Sequence, residues 1–347
     1  MINLIGYPEE KLKQLFADWE VPAYRVQQVF SWVYHHRVRQ FGEMTNLSKD
    51  LRARLAEHFV IALPRIAAKT HSQDGSIKYL FELDNGSQIE SVWMPDETRK
   101  TLCISSQVGC RLACSFCLTA TLGLKSNLSA GEIIGQYMAV NDDLPDENQV
   151  TNVVMMGMGE PLDNYDEVCQ ALRLMVSPQA MRISNRKVTL STSGLVDRIR
   201  QFAQEDIHVN LAISLNATED ATRDQIMPIN KKYPIKILMD CLKKYPLKPT
   251  RRITFEYVLL KGINDSDEDA VRLGKLLSTV RCKINLIPFN NYEGSPYQPP
   301  TEERIKSFQN YLIQKKFSAF IRKNRGTDIL GACGQLAAQT MTGSPAK

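Results

Sequence analysis

Strand-like and helix-like segments alternate through most of this 347-residue chain. From Thr101 onward, short apolar runs are followed by amphipathic segments whose apolar residues recur at helical spacing. The predicted strands are residues 101–106, 151–156, 187–192, 208–215, 252–260, 282–287 and 317–322. The predicted helices begin at Ser129, in a capping-box pattern with Glu132, and at about 164–176, 195–205, 234–245, 266–279 and 301–316. This alternation predicts an α/β fold with a parallel sheet and right-handed crossovers, in which ligands bind at the carboxyl ends of the strands.

The first 95 residues follow a different pattern and are predicted to form a small separate α+β domain. Its predicted elements are helices 8–20, 24–36 and 48–59 and strands 61–69, 78–84 and 87–94. The DNG triplet at Asp84–Gly86 predicts a hairpin turn. The sequence therefore divides into an accessory domain (1–95), an α/β domain (96–325) and a C-terminal segment (326–347), whose polar tail TMTGSPAK is expected to fray.

Three cysteines follow the first strand of the α/β domain with the spacing C-x3-C-x2-C. They are Cys110, Cys114 and Cys117, in the run GCRLACSFC. Thiolates are the usual ligands of iron–sulfur clusters, and three of them can bind three irons of a [4Fe-4S] cube and leave the fourth iron open. A zinc site usually has four closed ligands, and no fourth cysteine or histidine is near in the sequence. The spacing therefore favours a cluster over a zinc knuckle completed from elsewhere, or over three unrelated core thiols.

Composition narrows the class of protein further. Eight cysteines in an intracellular chain of this size indicate metal binding or catalysis rather than a disulfide framework. No apolar run of eighteen residues and no signal-peptide core are present, so a cytoplasmic protein with no membrane partner is expected. The net charge is +5, and basic residues cluster in 231–252 and 315–325. We expect both clusters beside the active-site mouth, where they can contact RNA phosphates, although a solvated helix face explains either one equally well.

Several motifs resemble those of a known enzyme family. The cysteine spacing with Phe116 before the last cysteine is similar to that of radical S-adenosylmethionine enzymes, and GMGEP at Gly157–Pro161 resembles their motif for the cofactor's amino group. Longer segments resemble the RlmN/Cfr family of RNA adenosine methyltransferases: SSQVGCRLACSFC, GMGEPLDNYDEV, KVTLSTSG, RRITFEYVLLKGIND, NLIPFN and RGTDILGACGQLA. They occur in family order over nearly the whole chain, which is far more specific than any one of them. The resemblance implies a partial (β/α)6 TIM-like radical SAM barrel with a small N-terminal α+β accessory domain that binds RNA.

The resemblance also implies two cofactors and the residues that hold them. A [4Fe-4S] cluster is expected on the three motif cysteines, with S-adenosylmethionine beside it. Gly159 and Glu160 are implied to bind the amino group of S-adenosylmethionine, and the other implied contacts are Ser191, Ser214, Asn216 and Asn290. Family members commonly carry histidine at the position of Asn216, and the stretch 119–128 departs from the more usual TGxxGxxRNL.

Three catalytic residues are implied in the same way. Cys333, between Gly331 and Gly334, is implied to carry the methyl group, and its glycine neighbours favour an accessible loop over a buried structural thiol. Cys103 is implied as the second catalytic cysteine, with a core thiol as the alternative. Glu90 is implied as an acid that takes or relays a proton near the substrate adenine. The alternative for Glu90 is a surface residue on an edge strand.

The implied reaction is methylation of an RNA adenosine at C2, with two molecules of S-adenosylmethionine per turnover. Aromatic C2 has no nucleophilic lone pair, so it cannot attack a methyl sulfonium directly. The methyl group is therefore expected to pass first to Cys333, whose thiolate is the nucleophile. A 5′-deoxyadenosyl radical from the second cofactor then activates that methyl group, and Cys103 helps resolve the protein–RNA adduct.

The family implies two RNA partners, the peptidyl-transferase-centre adenosine of 23S rRNA and the adenosine 3′ of the anticodon in some tRNAs. It also implies a reductant such as flavodoxin or ferredoxin. The closest alternative is a Cfr-like enzyme that methylates C8 of the same rRNA adenosine and confers antibiotic resistance. A glycyl-radical activase or another non-methylating radical enzyme would leave Cys103 and Cys333 without a role. A zinc-bearing RNA-binding protein is the non-enzymatic alternative.

Overall fold

A computed structural model describes residues 1–338, and its first sixty residues form a small helical layer. The helices are α1 (Glu9–Asp18), α2 (Tyr24–Phe30) and α3 (Lys49–His58), and the short strands β1 (Ile2–Asn3) and β2 (Phe59–Val60) pair in parallel. A π-helical turn at Ser31–His35 extends α2. The apolar stripe of this helix, from Val26 to Val33, is buried in the core. The three helices predicted for this region are therefore confirmed.

Three antiparallel strands follow the helical layer. They are β3 (Arg65–His71), β4 (Ile77–Glu82) and β5 (Gln88–Pro95). The predicted turn at Asp84–Gly86 joins β4 to β5, and Gly86 has a positive φ of 77° that this turn requires. Strand β5 then pairs with the next strand of the chain, with Val92 opposite Cys103. The predicted domain boundary at residue 95 thus falls inside one continuous sheet.

Strand–helix units make up the rest of the structure. In chain order they are β6 (Lys100–Cys103), β7 (Gln107–Gly109), β8 (Leu124–Asn127), α4 (Ala130–Asp143), β9 (Asn152–Met155), α5 (Tyr165–Val176), β10 (Val188–Thr192), α6 (Val196–Phe202), β11 (Asn210–Ser214), α7 (Asp220–Ile226), α8 (Ile235–Lys243), β12 (Ile253–Leu259), α9 (Asp267–Leu277), β13 (Cys282–Pro288), α10 (Glu302–Gln314) and β14 (Ala319–Ile321). Each predicted strand and helix of this region is present, with ends shifted by a few residues.

The main sheet has ten strands in the order β14-β13-β12-β11-β10-β9-β6-β5-β4-β3. Seven of these strands pair in parallel: β6 and β9 to β14. Six of them are followed by a helix, which gives the predicted six β/α units, and β14 closes the series. The sheet order has two ends, so the barrel is open. All carboxyl ends of the parallel strands lie at one rim, here called the mouth.

Helix caps explain where several of these helices begin. Ser129 accepts a hydrogen bond from the Glu132 amide, and the Glu132 carboxylate accepts one from the Ser129 amide, which is the predicted capping box. Ser266 and Asp269 repeat this pattern at α9. None of the helices within residues 1–338 combines the length and the apolar character that crossing a membrane requires. The predicted fraying of TMTGSPAK concerns residues outside the described part of the chain.

Two features of the α/β region were not predicted from the sequence. The hairpin of β7 and β8 flanks the cysteine motif, and α7 is inserted before α8. Strand β7 has only three residues, and α7 has seven, mostly polar, which is about two turns. Neither is long enough to show a periodic pattern.

Candidate active site at the carboxyl ends of the strands

The three motif cysteines lie in the loop that leaves β7. Gly109, the last residue of β7, has a φ of 78°, and a Cβ atom there would lie 1.8 Å from the carbonyl oxygen of Gly123. The Cys110 amide donates to that same carbonyl at 3.0 Å. Close contact between the two arms of the hairpin therefore requires glycine, and it fixes the start of the cysteine loop at the mouth.

The thiols of this loop are free and partly buried. Burial, with the negative charges of neighbouring groups such as Cys117, raises the pKa of Cys110 to about 12. Burial and the other two thiols raise the pKa of Cys114 as well. Among residues 1–338, no three His, Cys, Asp or Glu side chains are grouped to hold one metal ion. Burial and neighbouring negative charge disfavour the thiolate forms of this loop, so its cysteines fit a group whose cationic irons bind thiolates.

The GMGEP turn follows β9 and is locked against β7. Gly159 has a φ of 98°, and a Cβ atom there would lie 2.5 Å from the Cβ of Gln107. The Gln107 side chain accepts from the Glu160 amide at 2.8 Å and donates to Asp163 at 2.9 Å. The glycine therefore provides room for a glutamine that connects the GMGEP turn to the strand that leads into the cysteine loop.

The Glu160 carboxylate is buried at the mouth. Its oxygens accept from the backbone amides of Ser193 at 2.8 Å and Leu162 at 3.1 Å. Burial still raises the pKa of Glu160, because desolvation outweighs these hydrogen bonds. An ammonium group would stabilise this buried carboxylate, so the site fits the amino group of S-adenosylmethionine.

Three other predicted cofactor contacts, Ser191, Ser214 and Asn290, lie at or just after the ends of parallel strands. Ser191 on β10 and Ser214 on β11 lie at adjacent strand ends. Asn290 follows β13, and its Oδ1 atom is buried without a hydrogen-bond partner among the described residues. An orphaned acceptor of this kind suits a donor on a bound ligand.

Asn216 is engaged inside the fold. Its Oδ1 atom accepts from the Val258 amide at 2.8 Å, and its backbone has a positive φ of 58°, which asparagine tolerates. Its Nδ2 atom donates to the Met227 sulfur at 3.2 Å. In this arrangement the side chain stabilises the β11–β12 region and is not open to a ligand.

The segment that carries Cys333 lies across the mouth and is held at several points. The Leu118 amide donates to the Gly334 carbonyl at 2.7 Å, which joins this segment to the cysteine loop. The remaining contacts are Thr119 with the Leu336 carbonyl at 2.6 Å, Gln335 with the Asn291 carbonyl at 2.7 Å and Asn290 with the Cys333 carbonyl at 3.2 Å. Cys333 is thereby positioned between the cysteine loop and the end of β13.

Cys103 and Cys333 are brought together at the mouth. Cys103 is the buried last residue of β6, and burial followed by the nearby Cys333 thiol raises its pKa to about 12. Burial raises the pKa of Cys333 to about 11, while Arg322 lowers it and Cys117 raises it further. The Cys333 side chain is nevertheless exposed. A thiol that is surrounded by protein yet accessible lines an open concave site, which agrees with the predicted accessible loop.

Glu90 is buried, so the alternative interpretation of Glu90 as a surface residue on an edge strand is wrong. Its side chain is 2% exposed and lies on β5, an interior strand between β4 and β6. One carboxylate oxygen is 3.0 Å from the ammonium of the buried Lys78, and the other accepts from the Ala337 amide at 3.0 Å. Glu90 and Lys78 therefore help hold the C-terminal segment at the mouth. Lys78 could not be predicted from the sequence, because the apolar pattern along β4 does not show which residue of β5 a side chain contacts.

The basic clusters are only partly at the mouth, contrary to expectation. Each helix returns the chain to the amino ends of the strands, so residues after a helix and before the next strand lie at the opposite rim. This places Lys243, Lys244, Lys248, Lys315 and Lys316 at the far rim. Within the two clusters, the exposed residues on the mouth side are Lys231 and Lys232, which precede α8, and Lys323, which follows β14.

Comparison with known proteins places the chain in a family. The family model for the ribosomal RNA large subunit methyltransferase N-terminal domain matches residues 2–61, and that of the Radical SAM superfamily matches residues 104–274. The dual-specificity RNA methyltransferase RlmN of Paracoccus denitrificans is 48% identical, over 98% of this chain and 91% of that protein. The chain belongs to the RlmN family. The RlmN of Geobacter sulfurreducens is 47% identical, over 97% of this chain and 92% of its own length.

A solved structure supports the same assignment. The crystal structure of a radical SAM methyltransferase from Sphaerobacter thermophilus superposes with a TM-score of 0.91 at 40% identity, covering 98% of this chain and all of that one. The predicted radical SAM fold is thus confirmed. As a member of the RlmN family, the protein is a radical SAM RNA methyltransferase, and its cofactors are a [4Fe-4S] cluster and S-adenosylmethionine.

Proposed function

We propose that this enzyme methylates C2 of an adenosine in 23S rRNA and of the adenosine next to the anticodon in tRNA, by way of a methyl group carried on Cys333. The observation that carries the proposal is the position of Cys333 at the mouth, where the hydrogen bond from the Leu118 amide to the Gly334 carbonyl holds it beside the loop of Cys110, Cys114 and Cys117 and where Cys103 ends β6 nearby. The relatives' description as dual-specificity RNA methyltransferases supports two RNA substrates. We place the reaction in the cytoplasm, where both RNAs are made.

The residues suit the successive steps of this reaction. Cys110, Cys114 and Cys117 would hold the cluster, which, when bound, supplies the electron that cleaves S-adenosylmethionine. Gly159, Glu160, Ser191, Ser214 and Asn290 would orient that substrate. An external one-electron donor such as flavodoxin or ferredoxin would reduce the enzyme.

Cys333 would first accept a methyl group, since a thiolate displaces it readily from a sulfonium. Its exposed side chain leaves room for this transfer. After a hydrogen is removed from the S-methyl group, the methylene carbon would add to C2 of the adenine. The protein and the RNA are then joined covalently through Cys333. Loss of the C2 proton, with one electron returned to the external electron carrier, would restore the aromatic ring. The Cys103 thiolate would then attack the Cys333 sulfur, so that the carbon–sulfur bond breaks, the carbon takes up a proton, and the resulting disulfide is reduced by the external donor. Two molecules of S-adenosylmethionine are consumed, one for the methyl group and one for the hydrogen abstraction.

Glu90 has two roles in this proposal. With Lys78 it holds the C-terminal segment through the Ala337 amide. It also lies on β5, which pairs with the strand that ends at Cys103. Release of Ala337 would free one oxygen to accept the C2 proton of the adenine.

The test of this function is nucleoside mass spectrometry of RNA from a strain that lacks the gene. We expect 2-methyladenosine to disappear from 23S rRNA and from tRNA, and to return when the wild-type chain is supplied. Loss of 8-methyladenosine instead would establish the Cfr-like alternative. Unchanged methyladenosines, with zinc and no iron in anaerobically prepared protein, would support the zinc-bearing RNA-binding protein.

RNA binding should depend on the basic residues at the mouth and not on those at the far rim. Reversing Lys231 and Lys232 to glutamate removes two exposed charges on the mouth side. The plot of log K against log salt concentration should then become less steep by about 1.4. This is the loss of two phosphate contacts, each of which contributes about 0.7 to the slope with single-stranded RNA. The matched control reverses Lys243 and Lys244, which should leave both slope and affinity unchanged. A control variant that weakens binding as much as the first would move the RNA to the far rim.

A further inference from the structure

Arg223 on α7 is a fully buried charge outside the residues so far given a role. Its four side-chain hydrogen bonds within the described residues all end on uncharged oxygens. They are the carbonyls of Leu215 at 2.9 Å, Ser193 at 2.7 Å and Ser214 at 3.2 Å, and Oδ1 of Asn230 at 3.1 Å. A buried charge is costly unless an opposite charge compensates it. These hydrogen bonds to neutral oxygens use four of the five guanidinium N–H donors and leave the charge uncompensated.

The nearest acids reach Arg223 only through an intermediate. Asn230 accepts from Arg223 and donates to Asp220 at 3.0 Å and to Asp224 at 2.8 Å. Asp224 is partly exposed and Asp220 is exposed, so solvent screens both. Burial lowers the pKa of Arg223 to about 10, and the residue remains a cation at neutral pH. Its charge therefore acts in a low-dielectric environment at the mouth.

The position of α7 directs this charge toward the cysteine loop. The Ser115 amide donates to the Ile226 carbonyl at 3.1 Å, so the residue after Cys114 is bonded to the helix that carries Arg223. On its other side, Arg223 binds the Ser193 carbonyl, while the amide of the same residue donates to Glu160. Arg223 thus connects the ends of β10 and β11 and lies beside both the cysteine loop and the buried carboxylate.

We propose that Arg223 is the buried counter-charge of the cluster and makes it easier to reduce. The inference rests on the proposed cluster ligands Cys110, Cys114 and Cys117. Reduction adds one electron, and therefore one negative charge, to a group that already carries the charges of three thiolates. A nearby fixed cation in a low-dielectric environment stabilises the reduced form more than the oxidised one. Arg223 is in this sense a positioning residue, because it acts through the cluster and touches no substrate.

The test is the midpoint potential of the reconstituted cluster, measured by redox titration followed by electron paramagnetic resonance with dithionite as reductant. Arg223→Met should make one-electron reduction of the cluster at least tenfold less favourable. For a one-electron couple this lowers the midpoint potential by about 59 mV. Arg223→Lys keeps the charge without the planar fork and should shift it less. Asp224→Asn removes a partly screened negative charge and should shift the potential in the opposite direction, upward, by less than Arg223→Met lowers it.

The outcomes separate this inference from the proposed function. Iron and sulfide content and the resonance signal of the wild-type protein test the cluster ligands by themselves. Thermal unfolding of each apo variant shows whether it folds, and if Arg223→Met does not, Arg223→Lys and Asp224→Asn still give the sign. A wild-type potential in Arg223→Met, or a downward shift in Asp224→Asn, would overturn the role of Arg223 while leaving the methyltransferase intact.

Discussion

Replacing Cys103 with alanine should leave the enzyme covalently joined to its RNA, whereas replacing Cys333 should prevent any joining. The Cys103→Ala protein keeps Cys333, so it can accept the methyl group and form the bond to adenine. It lacks the thiol placed beside Cys333 to resolve that bond. The Cys333→Ala protein has no sulfur to carry the methyl group, so it should yield neither methylated RNA nor adduct.

A denaturing gel and tryptic mass spectrometry distinguish these outcomes. Wild-type Cys333 should be isolated partly as S-methylcysteine, because the first transfer needs no RNA. The matched control is Cys241→Ala, since Cys241 is a buried thiol on α8 with no place at the mouth. It should turn over like the wild type. Normal turnover by Cys103→Ala, or unmethylated Cys333 in active enzyme, would contradict the two-cysteine mechanism.

The fold was largely predictable because its signals are local. Each parallel strand is a short apolar run and each helix an amphipathic segment, so periodicity predicted the α/β class, whereas the partial barrel was implied by the family resemblance. The sheet that crosses the predicted boundary at residue 95 was not predictable for the same reason. Local pattern separates the antiparallel strands from the α/β region, but the pairing of Val92 with Cys103 is a contact between strands that pattern does not encode.

The site was predictable where a motif is continuous in sequence. The cysteine loop and the GMGEP turn were predicted as sites from their own residues, whereas the close contacts of Gly109 with Gly123 and of Gly159 with Gln107 were not. Contacts between distant segments were not predictable. Arg223 in a short polar helix looks like a surface residue, and its complete burial depends on carbonyls from two other strand ends.

The location of the basic residues was likewise not predictable from the sequence alone. Counting lysines in residues 231–252 suggests one basic surface, yet α8 runs from the mouth to the far rim and separates Lys231 from Lys243. The direction of a helix between two parallel strands decides which of its ends meets the substrate. This information follows from topology, so it becomes available only when the strand order is known.

The loss of any one motif cysteine should remove the cluster and abolish reductive cleavage of S-adenosylmethionine. Cys110, Cys114 and Cys117 stand in one loop and are each expected to bind a different iron, so two remaining thiolates would leave one iron without its ligand. Alanine at any of the three positions should therefore give anaerobically reconstituted protein with little iron or sulfide, no cluster absorption and no 5′-deoxyadenosine. Exposure of the wild type to oxygen should have the same effect.

The matched control for this prediction is Cys282→Ala. Cys282 is also a partly exposed free thiol, but it begins β13 and so lies at the far rim, away from the cysteine loop. Its iron content and cofactor cleavage should match those of the wild type. The alanine variants should also fold, because the loop is held by the Gly109–Gly123 contact and by the Ser115–Ile226 hydrogen bond rather than by the thiols. A folded triple variant that still carries a full cluster and produces 5′-deoxyadenosine would show that other ligands hold the iron.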